Sequence, residues 1–477
     1  MEHFDVVIIG SGSGNMLIDE RFDGLRVAMV ERGVYGGTCL NVGCIPTKMF
    51  VLPADHAASP PDAARINVDL RLAGVDFNQI RDRVFGRIDP ISSGGKAWRE
   101  QSDNVTVFPG SGHFVDTDVL EIAIQGEDQP VRISGDRFVL AAGSRATLLD
   151  VPGAGHPDVA PRVHTSDTIM RLPELPRSMI ILGGGYIAAE FAHIFSAYGV
   201  EVTMINRSER LLRREDREVS ERFTKIISER VNLKLNQQVT ALEPDGDGVE
   251  VVTQDPNGIE YSYSAQVVLA ALGRVPNADG LELDRAGVRV DDDGYVVVDE
   301  CQRTSQPHIW ALGDVCSASQ LKHVANHEAR VVQANLLHEI TGQGSPLSTD
   351  HRFIPHAIFT HPQIAAVGAT EDELRQAGTP YLAKVQAYGD VAYGWALEDQ
   401  EHFVKLLSDD KAEHLLGAHI IGPQASTLIQ PIVQAMSFGV GIEEMARGQY
   451  WIHPALTEVV ENALLGLVEQ AQKRAQA

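Results

Sequence analysis

The sequence predicts an α/β fold in which two Rossmann-like dinucleotide-binding domains precede a mixed α+β terminal domain. Two glycine-rich turns between strand-like apolar runs support this prediction. The first lies within FDVVIIG, GSGSGN and RVAMVERG, and the second within MIILGGGYIAAEFAHIFSAYGVEVTMIN. Both follow the strand, glycine turn, helix, strand order of a nucleotide-binding unit. At 477 residues the chain also exceeds what one hydrophobic core usually serves.

Linker-like stretches rich in Pro and Gly, at 151–176 and 341–348, indicate the domain boundaries. We expect a first nucleotide-binding domain over 1–150, a second over 151–275, a central segment over 276–345 and a terminal domain over 346–477. The terminal region mixes strand-like runs (HAIFT, FVKLLS, LLGAHIIG) with two amphipathic helices. That mixture is typical of an α+β domain.

Composition and charge argue against several classes of partner. The chain carries 40 basic and 65 acidic residues, a formal net charge of −25, which repels phosphate backbones and anionic lipid. We therefore expect no nucleic-acid partner and no membrane partner. Because MEHFDVVIIG enters a strand-like run without a basic segment or a cleavage site, we expect a soluble, cytoplasmic protein.

The first glycine turn suits a nucleotide that carries a pyrophosphate. Gly10 permits a tight turn, Gly12 allows close approach of the backbone, and a following helix would supply N–H groups. The third glycine position of the pattern is occupied by Asn15. Glu31 ends the next strand, where a carboxylate accepts hydrogen bonds from ribose hydroxyls. The alternative for Glu31 is a solvated charge at a strand end.

The second glycine turn predicts a site for a nicotinamide nucleotide. Gly183, Gly185 and Ala188 fit the pattern, and Asn206 stands where NAD-binding domains carry an acid. Four arginines follow it: Arg207, Arg210, Arg213 and Arg214. Because guanidinium groups bind a 2′-phosphate in bidentate fashion, the sequence favours NADPH, with NADH as the alternative. The arginines also fit a solvated helix start.

Cys39 and Cys44, in GGTCLNVGCIPTK, are the candidate redox pair. A close cysteine pair in a cytosolic chain is more often catalytic or metal-binding than structural, and no further zinc ligand occurs before His56. Five residues of regular helix rise about 7.5 Å, whereas bridged cysteines need Cα atoms within about 7 Å. A disulfide therefore needs a distorted turn, which Gly43 would allow. Two unpaired thiols are the alternative.

Six segments in matching order resemble the glutathione reductase and dihydrolipoyl dehydrogenase family over essentially the whole chain. They are the first glycine turn, GGTCLNVGCIPTK, GGGYIAAE, ALGDV, IPHAIFTHPQIAAVG and HPALTE. The resemblance implies FAD in the first domain, NADPH in the second and a terminal dimerisation domain. It also implies a homodimer whose active sites combine residues of both subunits.

The resemblance assigns residues to the two nucleotides. Lys48 would pair with Glu190 beside flavin N5, Tyr186 would cover the flavin, and Asp314 would accept from the ribityl chain. His323 would lie at a helix start facing the flavin. The remaining expected contacts are Gly14, Gly37, Thr38 and Gly143 with FAD, and Gly273 with NADPH. Singly, such residues also fit core or surface positions. His323 and His327 have the spacing of a metal pair, but no third ligand is near, so we expect no metal.

The resemblance further implies the catalytic roles. Cys44 would lie against the flavin, and Cys39 would attack a small-molecule disulfide substrate. His453, oriented by Glu458 five residues later, would protonate the leaving thiol at the partner subunit's cysteines. Before a proline, His453 alone also fits a loop histidine.

The substrate is inferred from two differences between this sequence and the glutathione reductases. Glutathione reductases carry arginines on the first helix, where this chain has Asp19 and Glu20. These acids would repel an anionic peptide, or they are solvated helix charges. GSGSGNMLIDERF and ARGQYWIHPAL resemble the mycothione reductases, a branch that shares Asn15 and regenerates the uncharged sugar thiol mycothiol. The favoured function is therefore NADPH-dependent reduction of mycothione.

Other functions remain as alternatives. Dihydrolipoyl dehydrogenases run toward NAD and usually carry an acid where Asn206 stands. Mercuric reductases and large thioredoxin reductases need redox cysteines near the C-terminus, whereas the last cysteine here is Cys316. A flavin-binding scaffold or redox sensor without turnover is the alternative of another class. For Cys301 and Cys316 we expect packing roles.

Overall fold

The structure is a computed structural model that describes residues 1–476. Its α-helices are α1 (Gly37–Asn41), α2 (Cys44–Ala57), α3 (Pro60–Arg65), α4 (Phe77–Glu100), α5 (Tyr186–Ala197), α6 (Arg217–Ser228), α7 (Lys322–Thr341), α8 (Glu371–Ala377), α9 (Ala392–Ala396), α10 (Ala425–Phe438), α11 (Ile442–Arg447) and α12 (Thr457–Gln476). Its strands are β1 (Glu2–Phe4), β2 (Val6–Ile9), β3 (Val27–Glu31), β4 (Val105–Asp116), β5 (Val119–Ile124), β6 (Val131–Gly135), β7 (Phe138–Leu140), β8 (Ser144–Ala146), β9 (Val163–His164), β10 (Ser178–Leu182), β11 (Glu201–Asn206), β12 (Asn232–Leu235), β13 (Gln238–Asp245), β14 (Gly248–Gln254), β15 (Glu260–Ala265), β16 (Val267–Ala270), β17 (Arg274–Pro276), β18 (Ile309–Ala311), β19 (His356–Ile358), β20 (Ile364–Gly368), β21 (Tyr381–Ala387), β22 (Phe403–Asp409) and β23 (Leu415–Ile421).

The first compact unit contains Met1–Thr47, Arg81–Thr147 and Arg274–His351. Its main sheet has the order β1-β6-β5-β4-β3-β2-β7-β18, and the pairs from β4 to β18 are parallel. Val7 packs into one apolar core and Ile8 into another. Burial of both faces explains why β2 reads as a continuous apolar run.

The helix expected after the first glycine turn does not form, so that prediction was wrong. The chain makes two short 3₁₀ turns instead, Ser13–Leu17 and Glu20–Phe22. The Arg99 guanidinium donates to the carbonyl oxygens of Asn15 and Ile18, at 2.8 and 3.0 Å. In a continuing α-helix such carbonyl oxygens accept hydrogen bonds from amides four residues later. Here the Arg99 side chain is the donor instead.

The second compact unit contains Lys48–Ile80, Leu148–Gly273 and the chain from Arg352 onward. Its parallel sheet has the order β12-β11-β10-β16-β9, and α5 connects β10 to β11. The strand, turn, helix, strand order predicted for the second glycine turn is therefore confirmed. Residues 48–80 cluster with this unit, although the sequence placed them inside a continuous first domain.

The C-terminal region is a mixed α+β structure, as the sequence predicts. Its antiparallel sheet has the order β19-β20-β23-β22-β21. Apolar residues of this sheet, such as Ile420, share one core with Ile432 of α10 and Leu464 of α12. Within residues 1–476, no helix combines the length and apolar character needed to cross a membrane.

Candidate active site

Cys39 and Cys44 lie on either side of a break between two helices. The chain leaves the helical conformation after α1, at Val42, which has φ −143° and ψ 7°. A Cβ on Gly43 would lie 3.0 Å from the Thr38 carbonyl oxygen and 3.4 Å from the Cys39 Cα. The close approach, rather than a left-handed φ, requires glycine here. This is the distorted turn that a Cys39–Cys44 disulfide needs.

The neighbours of the Cys39 sulfur favour its thiolate form. Both cysteines are free thiols in this structure. A hydrogen bond from Cys44 lowers the pKa of Cys39 to about 7, with burial opposing the shift and the Lys322 charge adding to it. Lys322, the first residue of α7, also donates to Ser13 Oγ at 2.8 Å. Lys322 could not be predicted from the sequence, because its proximity to the cysteines depends on tertiary packing.

The first glycine turn has the close approaches that a pyrophosphate site requires. Gly10 has φ 107°, and a Cβ there would lie 2.2 Å from the Ala141 carbonyl oxygen. Gly37 has φ 72°, and its Cβ would lie 2.7 Å from the Gly12 Cα. Side chains at these two glycines would collide with the backbone at Ala141 and Gly12. The tight turn therefore requires glycine, as does the turn of a dinucleotide-binding fold, which fits the FAD expected in the first domain.

Glu31 lies beside that turn, at the end of β3. Its Oε2 accepts from the Ser11 amide at 2.8 Å and from Ser11 Oγ at 2.6 Å, and its Oε1 accepts from the Gly33 amide at 2.7 Å. The carboxylate is thus fixed against the glycine turn, where the sequence places a ribose. Ser11 was not predicted, because its role depends on this contact.

Asp314 lies in a hydrogen-bond network with other polar residues of the same unit. Its Oδ2 accepts from Ser144 Oγ at 2.6 Å, and Arg274 Nε donates to the same hydroxyl at 2.8 Å. The preceding amide, of Gly313, donates at 2.6 Å to Glu328. Glu328 is fully buried, and burial raises the pKa of its carboxyl to about 7. The network holds Asp314 at the turn predicted for the ribityl chain.

The second glycine turn is built in the same way. Gly183 has φ 120°, and a Cβ there would lie 2.4 Å from the Ala271 carbonyl oxygen. Gly184, which was not predicted, lies against Asn206, whose amide carbon would be 2.7 Å from an added Cβ. Gly185 precedes α5 with open space around it. The backbone is therefore accessible where a nucleotide would approach.

Asn206 and the arginines after it have different environments. Asn206 is buried, and its Nδ2 donates to the carbonyl oxygens of Ser208 and Arg210, at 3.3 and 3.0 Å. It therefore shapes the loop from within. Arg207 and Arg213 are exposed, and Arg213 Nη1 donates to Ser208 Oγ at 3.2 Å. Arg214 is also exposed. A guanidinium and a hydroxyl thus lie together on the expected 2′-phosphate side.

Lys48 and Glu190 meet through Phe359. The Lys48 Nζ lies 4.1 Å from the centre of the Phe359 ring, and the Phe359 amide donates to Glu190 Oε1 at 2.9 Å. The pairing of Lys48 with Glu190 that the resemblance implied stays a prediction. Burial raises the pKa of Glu190 to about 7, and the Phe359 amide and the Lys48 charge limit that rise. Tyr186 is 44% exposed at the start of α5.

His453 and Glu458 form the predicted dyad. His453 Nδ1 lies 2.8 Å from Glu458 Oε1, and Glu458 Oε2 accepts from the Ala455 amide at 3.2 Å. The hydrogen bond with His453 lowers the pKa of Glu458. The His453 side chain is 69% exposed, so its second nitrogen is free to meet another molecule.

The other predicted contacts lie along the two glycine turns and near them. Gly14 is buried in the first 3₁₀ turn, and Thr38 lies in α1. Gly143, with φ 66°, lies between β7 and β8, and Gly273, with φ 107°, follows β16. Ala188 is buried in α5.

His323 and Asp19 take positions that bear on two expectations. His323 is exposed in the first turn of α7, and within residues 1–476 it belongs to no cluster of three metal-ligand residues. Asp19 accepts from the Arg21 amide and pairs with its guanidinium at 2.6 Å. Arg21 thus compensates the charge of Asp19, which acts as a local cap, whereas Glu20 is exposed.

Comparison with known proteins identifies the family. Residues 4–329 match the family model of pyridine nucleotide-disulphide oxidoreductases, and residues 354–464 match that family's dimerisation domain. A mycothione reductase of Mycobacterium tuberculosis (strain CDC 1551 / Oshkosh) is 50% identical over 467 residues, covering 98% of this chain and 100% of the relative.

Two more distant proteins are similar over nearly the whole length. A dihydrolipoyl dehydrogenase of Haloferax volcanii is 32% identical, covering 98% of this chain and 97% of the relative. The solved structure of the HOCl-induced flavoprotein disulfide reductase RclA from Escherichia coli is 27% identical, with a TM-score of 0.82 over 97% of this chain and 99% of that one.

Proposed function

Because this chain belongs to the pyridine nucleotide-disulphide oxidoreductase family, we propose that it reduces mycothione to mycothiol with NADPH. The family makes it a FAD-dependent NAD(P)H:disulfide oxidoreductase. The observation that carries the substrate proposal is the 50% identity to a mycothione reductase over the full length of that relative. Because Arg21 compensates the charge of Asp19, repulsion by Asp19 is a weak argument against glutathione disulfide. The substrate proposal therefore depends mainly on the similarity to the mycothione reductase.

The proposed chemistry begins at Cys39. Bound FAD supplies a two-electron relay from the nicotinamide to the cysteine pair. With a pKa of about 7, a substantial fraction of Cys39 is thiolate near neutral pH. The thiolate attacks one substrate sulfur, so a mixed disulfide forms and the first substrate thiolate leaves. Cys44 then attacks the Cys39 sulfur, which releases the second thiolate and restores the Cys39–Cys44 bond.

His453 provides the protons. Since Glu458 binds Nδ1 at 2.8 Å, Nε2 is the nitrogen that transfers protons. It protonates the first leaving thiolate, accepts the proton that the Cys44 thiol loses as it attacks, and passes that proton to the second leaving thiolate. We place this imidazole at the cysteines of the partner subunit in a homodimer. Support comes from the matched dimerisation domain and from the apolar residues beside the dyad: Tyr450 is fully exposed and Ile452 is 74% exposed in the single chain. A second copy would cover them.

For the nicotinamide, we propose that Arg213 and Ser208 hold the 2′-phosphate, with Arg207 and Arg214 adding positive charge. The 3.2 Å contact between Arg213 and the Ser208 hydroxyl supports a joint site. Asn206 leaves no carboxylate to repel the phosphate. A cytoplasmic location also belongs to the proposal, because four free cysteines in the described chain suit a reducing compartment.

Steady-state turnover tests the proposal. Mycothione, glutathione disulfide and lipoamide are compared side by side, each with NADPH and with NADH. We expect the highest kcat/KM for mycothione with NADPH. Comparable kcat/KM for glutathione disulfide would contradict the substrate, and efficient oxidation of dihydrolipoamide by NAD would favour dihydrolipoyl dehydrogenase.

A further inference from the structure

Asn15 departs from the usual glycine pattern, and the structure shows what it contacts. Its Oδ1 accepts from Arg99 Nε at 2.7 Å and from the Tyr35 hydroxyl at 2.6 Å. Gly14 makes the close approach to the sheet, since its Cβ would lie 2.8 Å from the Ala141 Cβ. In other dinucleotide-binding folds the third glycine of the pattern allows close packing of the helix on the sheet. Here Gly14 makes that contact, and Asn15 instead binds the Arg99 guanidinium.

Arg99, at the end of α4, is a buried cation without a carboxylate partner in the described chain. The residue is 4% exposed, and its side chain forms hydrogen bonds with Asn15, with the Ile18 carbonyl oxygen and with the Tyr35 side chain. Asp19 is the nearby carboxylate, but it is paired with Arg21. Burial lowers the pKa of Arg99, yet a guanidinium stays protonated in proteins. Buried charges are normally paired with an opposite charge, so we expect an anion to bind near Arg99.

The short 3₁₀ turn explains why an added charge is useful. A regular helix presents free N–H groups and a positive dipole to a pyrophosphate. The five residues of Ser13–Leu17 give only a small dipole. Arg99 binds the carbonyl end of this turn, at Asn15 and Ile18, where the negative end of the dipole lies. It therefore neutralises that end and leaves the glycine turn more positive.

We propose that Arg99 is a positioning residue for FAD: through Asn15 it holds the first glycine turn, and its unpaired charge favours the pyrophosphate. The family implies that FAD binds at the first glycine turn, and Arg99 adds a residue of α4 to that site. This role does not depend on which disulfide the protein reduces.

Asn15→Asp separates the electrostatic role from a structural one. The new carboxylate keeps the acceptor for Arg99 and Tyr35 but cancels the positive charge. FAD is removed from the purified flavoprotein, and the apoprotein is titrated with FAD while flavin fluorescence is followed. We expect a Kd for FAD raised by about tenfold, since one charge near the diphosphate is lost. The thermal midpoint of the apoprotein should not fall, because a buried ion pair is completed.

Two replacements on α4 give the matched comparison. Arg99→Met should also weaken FAD binding, and Arg99→Lys should weaken it less, because lysine keeps the charge but not the planar fork. Lys96→Met is the control: Lys96 is 42% exposed and pairs with Glu100 on the same helix, so FAD affinity should be unchanged. The proposal is overturned if Asn15→Asp binds FAD as tightly as the unmodified chain, or if Lys96→Met loses as much affinity as Arg99→Met.

Discussion

At the level of single residues, the reactivity of Cys39 depends mainly on its neighbour Cys44. The hydrogen bond from Cys44 is the largest contribution to the lowered pKa of Cys39, and the Lys322 charge is a smaller one. A thiolate reacts with disulfides and alkylating agents, whereas a thiol does not. The rate of alkylation at Cys39 should therefore rise with pH around a midpoint near 7.

Cys44→Ala should move that midpoint upward, toward the ordinary thiol value of 9.0. The reason is that the thiolate loses its hydrogen-bond donor while burial continues to favour the neutral form. Site-resolved mass spectrometry after iodoacetamide pulses between pH 5 and 10 measures the shift. Cys301→Ala serves as the control and should leave the Cys39 midpoint in place. An unchanged midpoint in Cys44→Ala would remove the assigned role of Cys44.

Cys39→Ser should separate the two halves of the catalytic cycle. Serine does not form a thiolate, so turnover of the disulfide substrate should fall below detection. Reduction of the bound flavin by NADPH should survive, because Cys39 takes no part in that transfer. Anaerobic stopped-flow absorbance at the flavin band measures the second step. Loss of both steps in a folded variant would contradict the division of roles.

The candidate site could be predicted from the sequence where a residue's role depends on its immediate neighbours. The Gly43 distortion follows from five-residue spacing, and the His453–Glu458 contact follows from chain proximity. Lys322 and Phe359 were missed because their contacts with Cys39 and Lys48 join segments far apart in the chain. No spacing pattern marks such a pair in a single sequence.

At the level of helices and strands, the predictions failed where a tertiary contact overrode the local pattern. The second βαβ unit formed as expected, since its apolar runs and glycine turn agree with its packing. The first unit lacks its helix because Arg99, from α4, takes the carbonyl oxygens that a helix would use. Strands β20 and β21 were also missed; they complete a sheet whose other strands were recognised.

A buried lysine joins three elements of the second unit. Lys405 of β22 is 1% exposed, and its Nζ donates to Asp216 at 2.9 Å, Glu218 at 2.8 Å and Glu371 at 2.7 Å. Asp216 caps α6, and Glu371 begins α8. Removal of the lysine would leave Asp216 charged and buried without its cation.

We expect Lys405→Met to lower the free energy of unfolding by about 3–5 kcal/mol, the usual cost of breaking a buried ion pair from one side. Lys225→Met is the matched control. Lys225 is 65% exposed and pairs with Glu401 at 3.2 Å, so its loss should cost less than about 1 kcal/mol. Urea unfolding at one protein concentration measures both. Equal losses would contradict the role of the Lys405 cluster.

At the level of the whole molecule, the proposed chemistry combines the cysteines of one subunit with His453 of the other, so two chains form each active site. A mixed dimer tests this requirement. One subunit carries Cys39→Ser and the other carries His453→Ala, and the two are co-expressed with different affinity tags. If His453 acts on the partner's cysteines, one of the two sites is intact, and about half of the normal turnover is expected. If each site belongs to one chain, the mixed dimer should be as inactive as its parents.

If electrons from NADPH reach the Cys39–Cys44 pair through FAD, both cysteines become free thiols on reduction, and counting thiols after a titration measures this. The oxidised flavoprotein is titrated anaerobically with NADPH and then alkylated, and the labelled cysteines are mapped by mass spectrometry. We expect one equivalent of NADPH per subunit to make Cys39 and Cys44 newly reactive. Reduction of the flavin without new label at these two cysteines would contradict it.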